Sequence, residues 1–381
     1  MRVAIFSEVY APMVSGVSLT LKRTADALRR HGHAVRVYSA SYPEGSEAAD
    51  PDCHASPSQP FRLSPQVQWA VPDRQVIRSD LAAFGADIVH LATEFPMGLA
   101  GLHAARQLRL PILASAHTDY ERYASRYRLA WALPAGWAYL RWFYGHAHRV
   151  LAPSSAYEVH LRLRGIRHTG IWSRGVDTDA FSPDFRSASY RRSLGLGDQD
   201  LLVAYVGRLA PEKGIDRLLE AWPTIARLHP RAHLVFTGHG QSEDQIRRAQ
   251  LPRTHLTGML RGKDLSVAYA SADLFAMPSD TETFGNVTLE AMASGVPALA
   301  LSAGGITDFG HHGENAWLVD PRDFTAWVTG MDRLLADIRL RRRLARGARA
   351  TALGRGWAPI LEELVSHYAA VIGTPAGRKA A

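Results

Sequence analysis

The sequence predicts an α/β protein built as two doubly wound domains facing each other across a cleft. Three observations lead there. Short apolar strands alternate with amphipathic stretches along nearly the whole chain, the pattern of parallel sheets covered by helices on both faces. The pattern lapses in a turn-rich stretch around 175–198 and then starts again. A length of 381 residues exceeds what one hydrophobic core usually organises.

In the first half the predicted strands are "RVAIFS" (2–7), "AVRVYSA" (34–40), "DIVHLA" (87–92), "PILASAH" (111–117) and "HRVLAPS" (148–154). Helical periodicity separates several of them, as in "SLTLKRTADALRRHG" (18–32). The segment "GVDTDAFSPDFRSASYRRSLGLGDQD" has many turn residues and few periodic apolar positions, and reads as the linker. The second half gives "DLLVAYVGRL" (200–209), "AHLVFTG" (232–238), "THLTG" (254–258), "DLFAMPS" (273–279), "PALAL" (297–301) and "AWLVD" (316–320). Everything after Asp320 reads as helix, strongly basic in "LRRRLARGARATAL", and "TPAGRKAA" reads as a frayed tail.

Composition narrows the function classes. With 46% hydrophobic and 21% charged residues the chain has the make-up of a soluble globular protein. No apolar run reaches the ~18 residues of a membrane span. The opening apolar stretch is too short, and too soon broken by Glu8, for a signal peptide. A single cysteine, Cys53, excludes an internal disulfide framework and fits a reducing cytoplasm. The formal charge of +8 suits nucleic acid, anionic lipid or an anionic small substrate. No helix-turn-helix, zinc-finger or RNA-binding signature is present, so nucleic acid is not an expected partner. The histidine pairs His31/His33, His146/His148 and His311/His312 lack metal-ligand spacing, and no metal site is expected.

The most informative stretch is "SDTETFGNVTLEAMASGVP" (279–297). Turn and cap formers lead into helix formers from Asn286 to Met292, and Gly295 with Pro297 stops the run. Glu282 then sits in a loop after a strand and Glu290 on the helix beyond it. Two acidic acceptors flank a helix N-terminus that attracts anions, which suits a ligand with hydroxyls at both ends and phosphate between. "GRLAPEKGID" follows another strand and offers Arg208 and Lys213 beside a helix predicted to begin at about Glu212. Either they clamp a diphosphate or they are two solvated charges at a helix start. Gly238 and Gly240 in "TGHGQSED" and the glycines of "SAGGITDF" are weak phosphate-loop signals and equally tight turns. Gly16, ahead of the first helix, could let amides approach a phosphate. His117 ends a strand, where ligand clefts form, though a lone histidine there is often structural.

Taken together these residues resemble the retaining glycosyltransferases of family 4, which have the GT-B fold of two facing Rossmann-like domains. The markers are "SGVS", "AHTD", "RGVDTDAF", "GRLAPEKG", "ETFGNVTLEAMASGVP" and "AGGITDF", in order from Arg2 to about Gly373, with Glu282 and Glu290 as the E-x7-E pair. The resemblance implies an acceptor-binding domain at 1–180, a nucleotide-sugar-binding domain at 181–354, and a final helix at about 355–373 packed back on the first. Arg208 and Lys213 would neutralise the donor diphosphate, and Glu290 would take the ribose hydroxyls. Glu282 would hold the transferred sugar, while Phe284, Gly285 and Asn286 would offer backbone amides. His117 would lie beside the anomeric centre, and Gly16 and Gly238 would come near the donor. One departure is Ser15, where many relatives have a glycine.

"ATEFPMGLAG" and "AHTDYERYASRYRLAW" look closest to GDP-mannose-dependent α-mannosyltransferases and to sulfoquinovosyltransferases acting on glycolipids. A hexose moving from a nucleotide sugar, GDP-mannose first, to a lipid-linked or glycolipid acceptor is the expected reaction. UDP-sugar-dependent glycolipid synthesis, a nucleotide-sugar epimerase of similar fold and a non-catalytic sugar-nucleotide binder are the alternatives. No cofactor is expected, and a divalent metal should be dispensable because fixed cations replace it. Residues 117–149 are dense in Tyr, Trp and Arg, so Tyr120, Arg122, Tyr123, Arg126 and Arg128 are candidates for contact with the acceptor or an anionic membrane. The expected location is cytoplasmic, peripheral on the inner face of the membrane.

Overall fold

The computed structural model describes residues 1–13, 15–42, 50–61, 64–126 and 129–373. The tail expected to fray, from Thr374 on, lies outside them, as do Arg128 and the side chains of Tyr123 and Arg126. The chain divides into two compact units: Met1–Thr118, Trp131–Ser173 and Ala358–Ala381 in the first, Asp119–Ala130 and Arg174–Trp357 in the second.

In unit 1 the strands are β1 (Arg2–Ser7), β2 (Ala34–Ala40), β3 (Cys53–Ser56), β4 (Ser58–Phe61), β5 (Ser64–Ala70), β6 (Ile88–Leu91), β7 (Ile112–Ser115), β8 (Arg149–Ala152) and β9 (Thr169–Ile171). Among the described residues, seven of them form one parallel sheet in the order β3-β2-β1-β6-β7-β8-β9, and β4 pairs antiparallel with β5. Past the exposed Arg2 the central strands are buried, which is why they read as mainly apolar runs. The helices are α1 (Gly16–Arg30), α2 (Arg74–Phe84), α3 (Pro96–Leu108), α4 (Tyr120–Arg126, assigned to unit 2), α5 (Leu133–Tyr144) and α6 (Ser155–Leu163). Helix α1 turns Leu21, Ala25 and Leu28 into the core at helical spacing. Ser15 is its N-cap: Ser15 Oγ accepts from Ser18 N and Ser18 Oγ accepts from Ser15 N, a reciprocal box that a glycine at 15 would lose.

Unit 2 runs α7 (Ala188–Ser193), β10 (Leu201–Val206), α8 (Ile215–Leu228), β11 (Ala232–Thr237), α9 (Glu243–Ala249), β12 (Thr254–Gly258), α10 (Gly262–Ala270), β13 (Leu274–Met277), α11 (Asn286–Ala293), β14 (Ala298–Leu301), β15 (Ala316–Val319), α12 (Phe324–Ala336) and α13 (Ile338–Leu353). The strand order β12-β11-β10-β13-β14-β15 is that of a doubly wound nucleotide fold, with its switch point between β10 and β13. Trp222 of α8, Trp327 of α12, Phe236 and Phe275 fill the core. The last helix, α14 (Trp357–Ile372), contributes Leu361, Leu364, Tyr368 and Val371 to the unit 1 core beside Ile5, Leu113 and Leu151.

Three local readings change. The presumed linker contains α7, capped by Ser187 and fastened to unit 2 where Arg191 Nη1 meets Asp273 at 2.9 Å. The helix expected from Glu212 begins at Ile215, because Gly214 takes a left-handed conformation after a separate 3-10 turn at Pro211–Lys213. Strands β3, β4, β5 and β9 were not anticipated. They are short, three to seven residues, and rich in Ser, His, Gln and Pro, so they lack the apolar runs that mark the central strands.

Candidate active site

Ligands of doubly wound sheets gather at the carboxyl ends of the strands, at the switch point. In unit 2 the loops after β10 and β13 meet there, and they carry most of the anticipated residues. Lys213 Nζ lies 2.6 Å from Glu282 Oε1, and Arg208 Nη2 lies 2.5 Å from Glu212 Oε1. Thr281 Oγ1 donates to the Glu212 carbonyl at 2.9 Å, and Tyr205 Oη to the Arg208 carbonyl at 2.9 Å, so the two loops form one rigid seat. Burial would push the Glu282 carboxyl up, but Lys213, a hydrogen bond from Ser279 and Arg208 outweigh it and hold the group below its ordinary range. Two cations are thus each matched by a carboxylate on a surface where Arg208 keeps 37% side-chain exposure.

The loop from Glu282 to Gly285 leads into α11, whose first residue is Asn286 and whose preceding Gly285 is left-handed at φ 103°. Phe284 is buried against Phe309, which fixes the loop from beneath. Glu290, just over one turn in, accepts from Tyr269 Oη at 2.8 Å. The "AGGITDF" glycines support this loop: a Cβ on Gly304 would stand 2.0 Å from the Glu282 carbonyl, and the Gly305 amide donates to that carbonyl at 2.9 Å. Gly238 has a comparable duty. Its Cβ would stand 2.0 Å from the Gly207 carbonyl, so glycine there lets the loop after β11 lie against the loop after β10.

Unit 1 holds the remaining candidates. Gly16 is exposed at the first turn of α1. His117 follows β7, with Nε2 2.8 Å from Ser115 Oγ and its ring edge-on to Trp172. Sequence reasoning missed two carboxylates at this sheet's own switch point, between β1 and β6. Glu8 accepts from the Met97 amide at 3.0 Å, and burial pushes its carboxyl up to about 7. Glu94 is buried and bonded to Tyr144 Oη. Glu212, Tyr269 and Tyr205 were missed too, although the four-residue spacing of Arg208 and Glu212 was visible.

The basic aromatic segment divides. Trp137, Leu140, Phe143 and Tyr144 are buried, while Trp131 is 80% and Trp142 49% exposed. Tyr120 is half-buried on α4. Arg122 is paired, 3.3 Å from Asp119 and 3.8 Å from Asp280, and lines a cleft of about 430 Å³ with Asp280, Thr281, Ser302, Asp320 and Arg322. Among the described residues no group of three or more His, Cys, Asp or Glu is placed to hold a metal ion, and no helix is long and apolar enough to cross a membrane.

Residues 14–180 match the family described as Glycosyltransferase Family 4, and residues 187–351 match Glycosyl transferases group 1. The chain is 38% identical over 379 residues to a GDP-mannose-dependent alpha-mannosyltransferase of Mycolicibacterium smegmatis, covering 98% of both chains. The chain belongs to glycosyltransferase family 4. This glycosyltransferase is also 32% identical to a sulfoquinovosyl transferase of Arabidopsis thaliana, over 93% of its own length and 71% of the relative's. Its fold is GT-B: the sucrose-phosphate synthase of Thermosynechococcus elongatus superposes with a TM-score of 0.80 at 22% identity, over 97% of this chain and 98% of that one. The epimerase and the non-catalytic binder give way to a glycosyl-transferring enzyme.

Proposed function

We propose that this glycosyltransferase moves mannose from GDP-mannose, with retention, to a lipid-linked or glycolipid acceptor. The observation that carries the donor site is the seat made by Arg208, Glu212, Lys213 and Glu282 at the switch point of unit 2. The choice of GDP-mannose rests on likeness to the mannosyltransferase relative over nearly the whole of both chains. In this reading Arg208 and Lys213 hold the diphosphate, and Gly238 lets the neighbouring loop approach it. Glu290 takes the ribose and Glu282 the sugar hydroxyls. Phe284, Gly285 and Asn286 present amides at the start of α11. For Gly16 and His117, which lie in unit 1, the phosphate and sugar roles rest on the family resemblance alone.

The reaction follows from the residues proposed at the sugar. Glu282 is tied to Lys213 and serves as a hydroxyl acceptor rather than a nucleophile. The acceptor hydroxyl attacks the anomeric carbon on the face the leaving group departs from. Its proton passes to a leaving diphosphate oxygen as the sugar–phosphate bond breaks. Arg208 and Lys213 meet the charge that grows on that oxygen, so no divalent metal is required.

The exposed Trp131 and Trp142 support a second component, contact with an anionic membrane. The deciding experiment offers a panel of purified nucleotide sugars with a lipid extract and reads product and anomeric configuration by NMR. α-Mannosyl lipid from GDP-mannose is the expected product. Turnover only with a sulfoquinovose or glucose donor would overturn the donor assignment and favour glycolipid synthesis of the kind the second relative suggests.

A further inference from the structure

We infer that the outward face of α13, a stripe of arginines, docks the enzyme on a bilayer surface rich in anionic lipid. The arginines of this helix divide by what they touch. Arg341 turns back and donates to the Leu334 and Leu335 carbonyls at 2.6 Å. Arg349 donates to the carbonyls of Phe181 and Ala293 at 2.9 and 2.6 Å. Arg339, Arg342, Arg343 and Arg346 stay exposed. Among the described residues their side chains make no hydrogen bond and no ion pair. The helix itself holds no acid, and its N-cap, Asp337, accepts from the Arg339 and Leu340 amides. Glu314 approaches α13 through its carbonyl, at Gly347, and is not paired with the stripe.

Helical spacing gathers these four charges on one side. Positions 339, 342, 343 and 346 lie opposite Leu340, Leu344, Ala348 and Ala352, which are buried in the unit 2 core. Arg339 with Arg343, and Arg342 with Arg346, are therefore like-charged neighbours one turn apart, which weaken a helix instead of bracing it. A face that need only be soluble gains from opposite signs at this spacing, as Lys22 and Asp26 do on α1 and Arg247 and Glu243 on α9. The α13 face gives up that gain, and an anionic partner turns its repulsion into attraction.

The surroundings of the stripe favour a bilayer as that partner. It runs about 10 Å from Arg339 to Arg346. Leu353 continues it and Ile338 flanks its start, 56% and 50% exposed. Guanidinium groups bracketed by exposed aliphatic side chains suit headgroup depth, where negative charge is spread over a plane and acyl chains begin just beneath. A free phosphate would leave both aliphatic ends unused. The choice of a bilayer over an acidic protein rests also on the proposed lipid acceptor, whereas the stripe and its charge do not.

Sedimentation of the full-length enzyme tests this, with vesicles of phosphatidylcholine alone or mixed with phosphatidylglycerol, from low to high salt. The wild type should bind the anionic vesicles, release from them as salt rises, and leave the neutral ones unbound. Changing Arg339, Arg342, Arg343 and Arg346 together to Gln should weaken low-salt binding by at least ~100-fold, at about fivefold per arginine, and flatten the salt dependence. Arg339→Gln with Arg346→Gln should cost roughly 25-fold, and this pair decides if the fourfold variant does not fold. Removing the same charge at Arg74, Arg78, Arg106 and Arg227, which are exposed on other helices, should change binding less than about threefold. Equal losses in the two fourfold variants would assign binding to net charge and overturn the stripe. So would vesicle binding unchanged in the α13 variant, or no salt-sensitive binding by the wild type. Preference of the stripe for a duplex RNA over vesicles would overturn the bilayer as its occupant. If vesicles are bound through α13 but sugar reaches only water-soluble acceptors, the lipid-acceptor reading falls and the docking face stands.

Discussion

Replacing Glu8 by glutamine should change how stability depends on pH, and the size of the effect can be worked out. The carboxyl is 1% exposed, and burial raises it from an ordinary 4.5 to about 7 despite the hydrogen bonds from the Met97 and Ala70 amides. Folding therefore favours the protonated form. Below pH 4.5 both folded and unfolded chains are protonated and the contribution is fully present. Between 4.5 and 7 the unfolded chain has ionised and the native one has not, so stability falls as pH rises. Above 7 the loss is complete. At roughly 1.36 kcal/mol per pH unit the total is about 3 kcal/mol. Urea unfolding of wild type and Glu8→Gln from pH 4 to pH 8 would measure it. The glutamine variant, having nothing to ionise, should gain about 3 kcal/mol on the wild type across that range. A difference that stays flat with pH would refute the argument, because a mere packing change cannot follow the titration of one carboxyl.

The donor seat and the exposed aromatics give three further expectations. Glu290→Ala should raise the donor KM by roughly 10- to 100-fold, since a hydrogen bond to a charged group is worth about 1.5–3 kcal/mol; unchanged donor affinity sinks the ribose assignment. Arg208→Ala and Lys213→Ala should each lower kcat on the order of 10²-fold, and EDTA should leave the wild type active. Normal turnover in both variants, or activity lost to EDTA and regained with Mg²⁺, counts against a fixed-cation clamp. Replacing Trp131 and Trp142 with serine should release the protein from anionic liposomes in a sedimentation assay, whereas Arg122→Ser should matter less because Asp119 and Asp280 already offset its charge. Equal sedimentation of the tryptophan variant and wild type would make those rings bystanders.

How much of this was legible in the sequence depended on whether the signal was local. β1, β6, β10 and β13 announce themselves because strands buried on both faces are mostly apolar. The loop-then-helix course from Ser279 to Ala293 was legible for the same kind of reason, since its caps and breakers act within a few residues. What escaped was long-range pairing. Nothing near Glu290 hints at Tyr269, and His90 meets Tyr368 across 278 residues. Arg122 looked like a membrane-facing cation although one partner, Asp119, stands only three residues before it; the other, Asp280, is remote in sequence. The helix start at Ile215 was misjudged because Gly214 reads as a mild helix weakener, whereas its backbone takes a conformation that no helix contains.

The placement of α14 bears on how the protein is made. The strands of unit 1 are all synthesised by Ile171, yet the side chains that complete their core begin at Leu361. At ribosomal rates of about 5–20 residues per second, roughly 10–40 s separate the two events. During that interval Ile5, Leu113 and Leu151 wait in the nascent chain without Leu364 and Tyr368, while the Arg174–Trp357 part of unit 2 emerges behind them. Variants that weaken α14 should therefore show themselves first as chaperone demand and low yield of soluble enzyme, before any loss of turnover in the molecules that do mature.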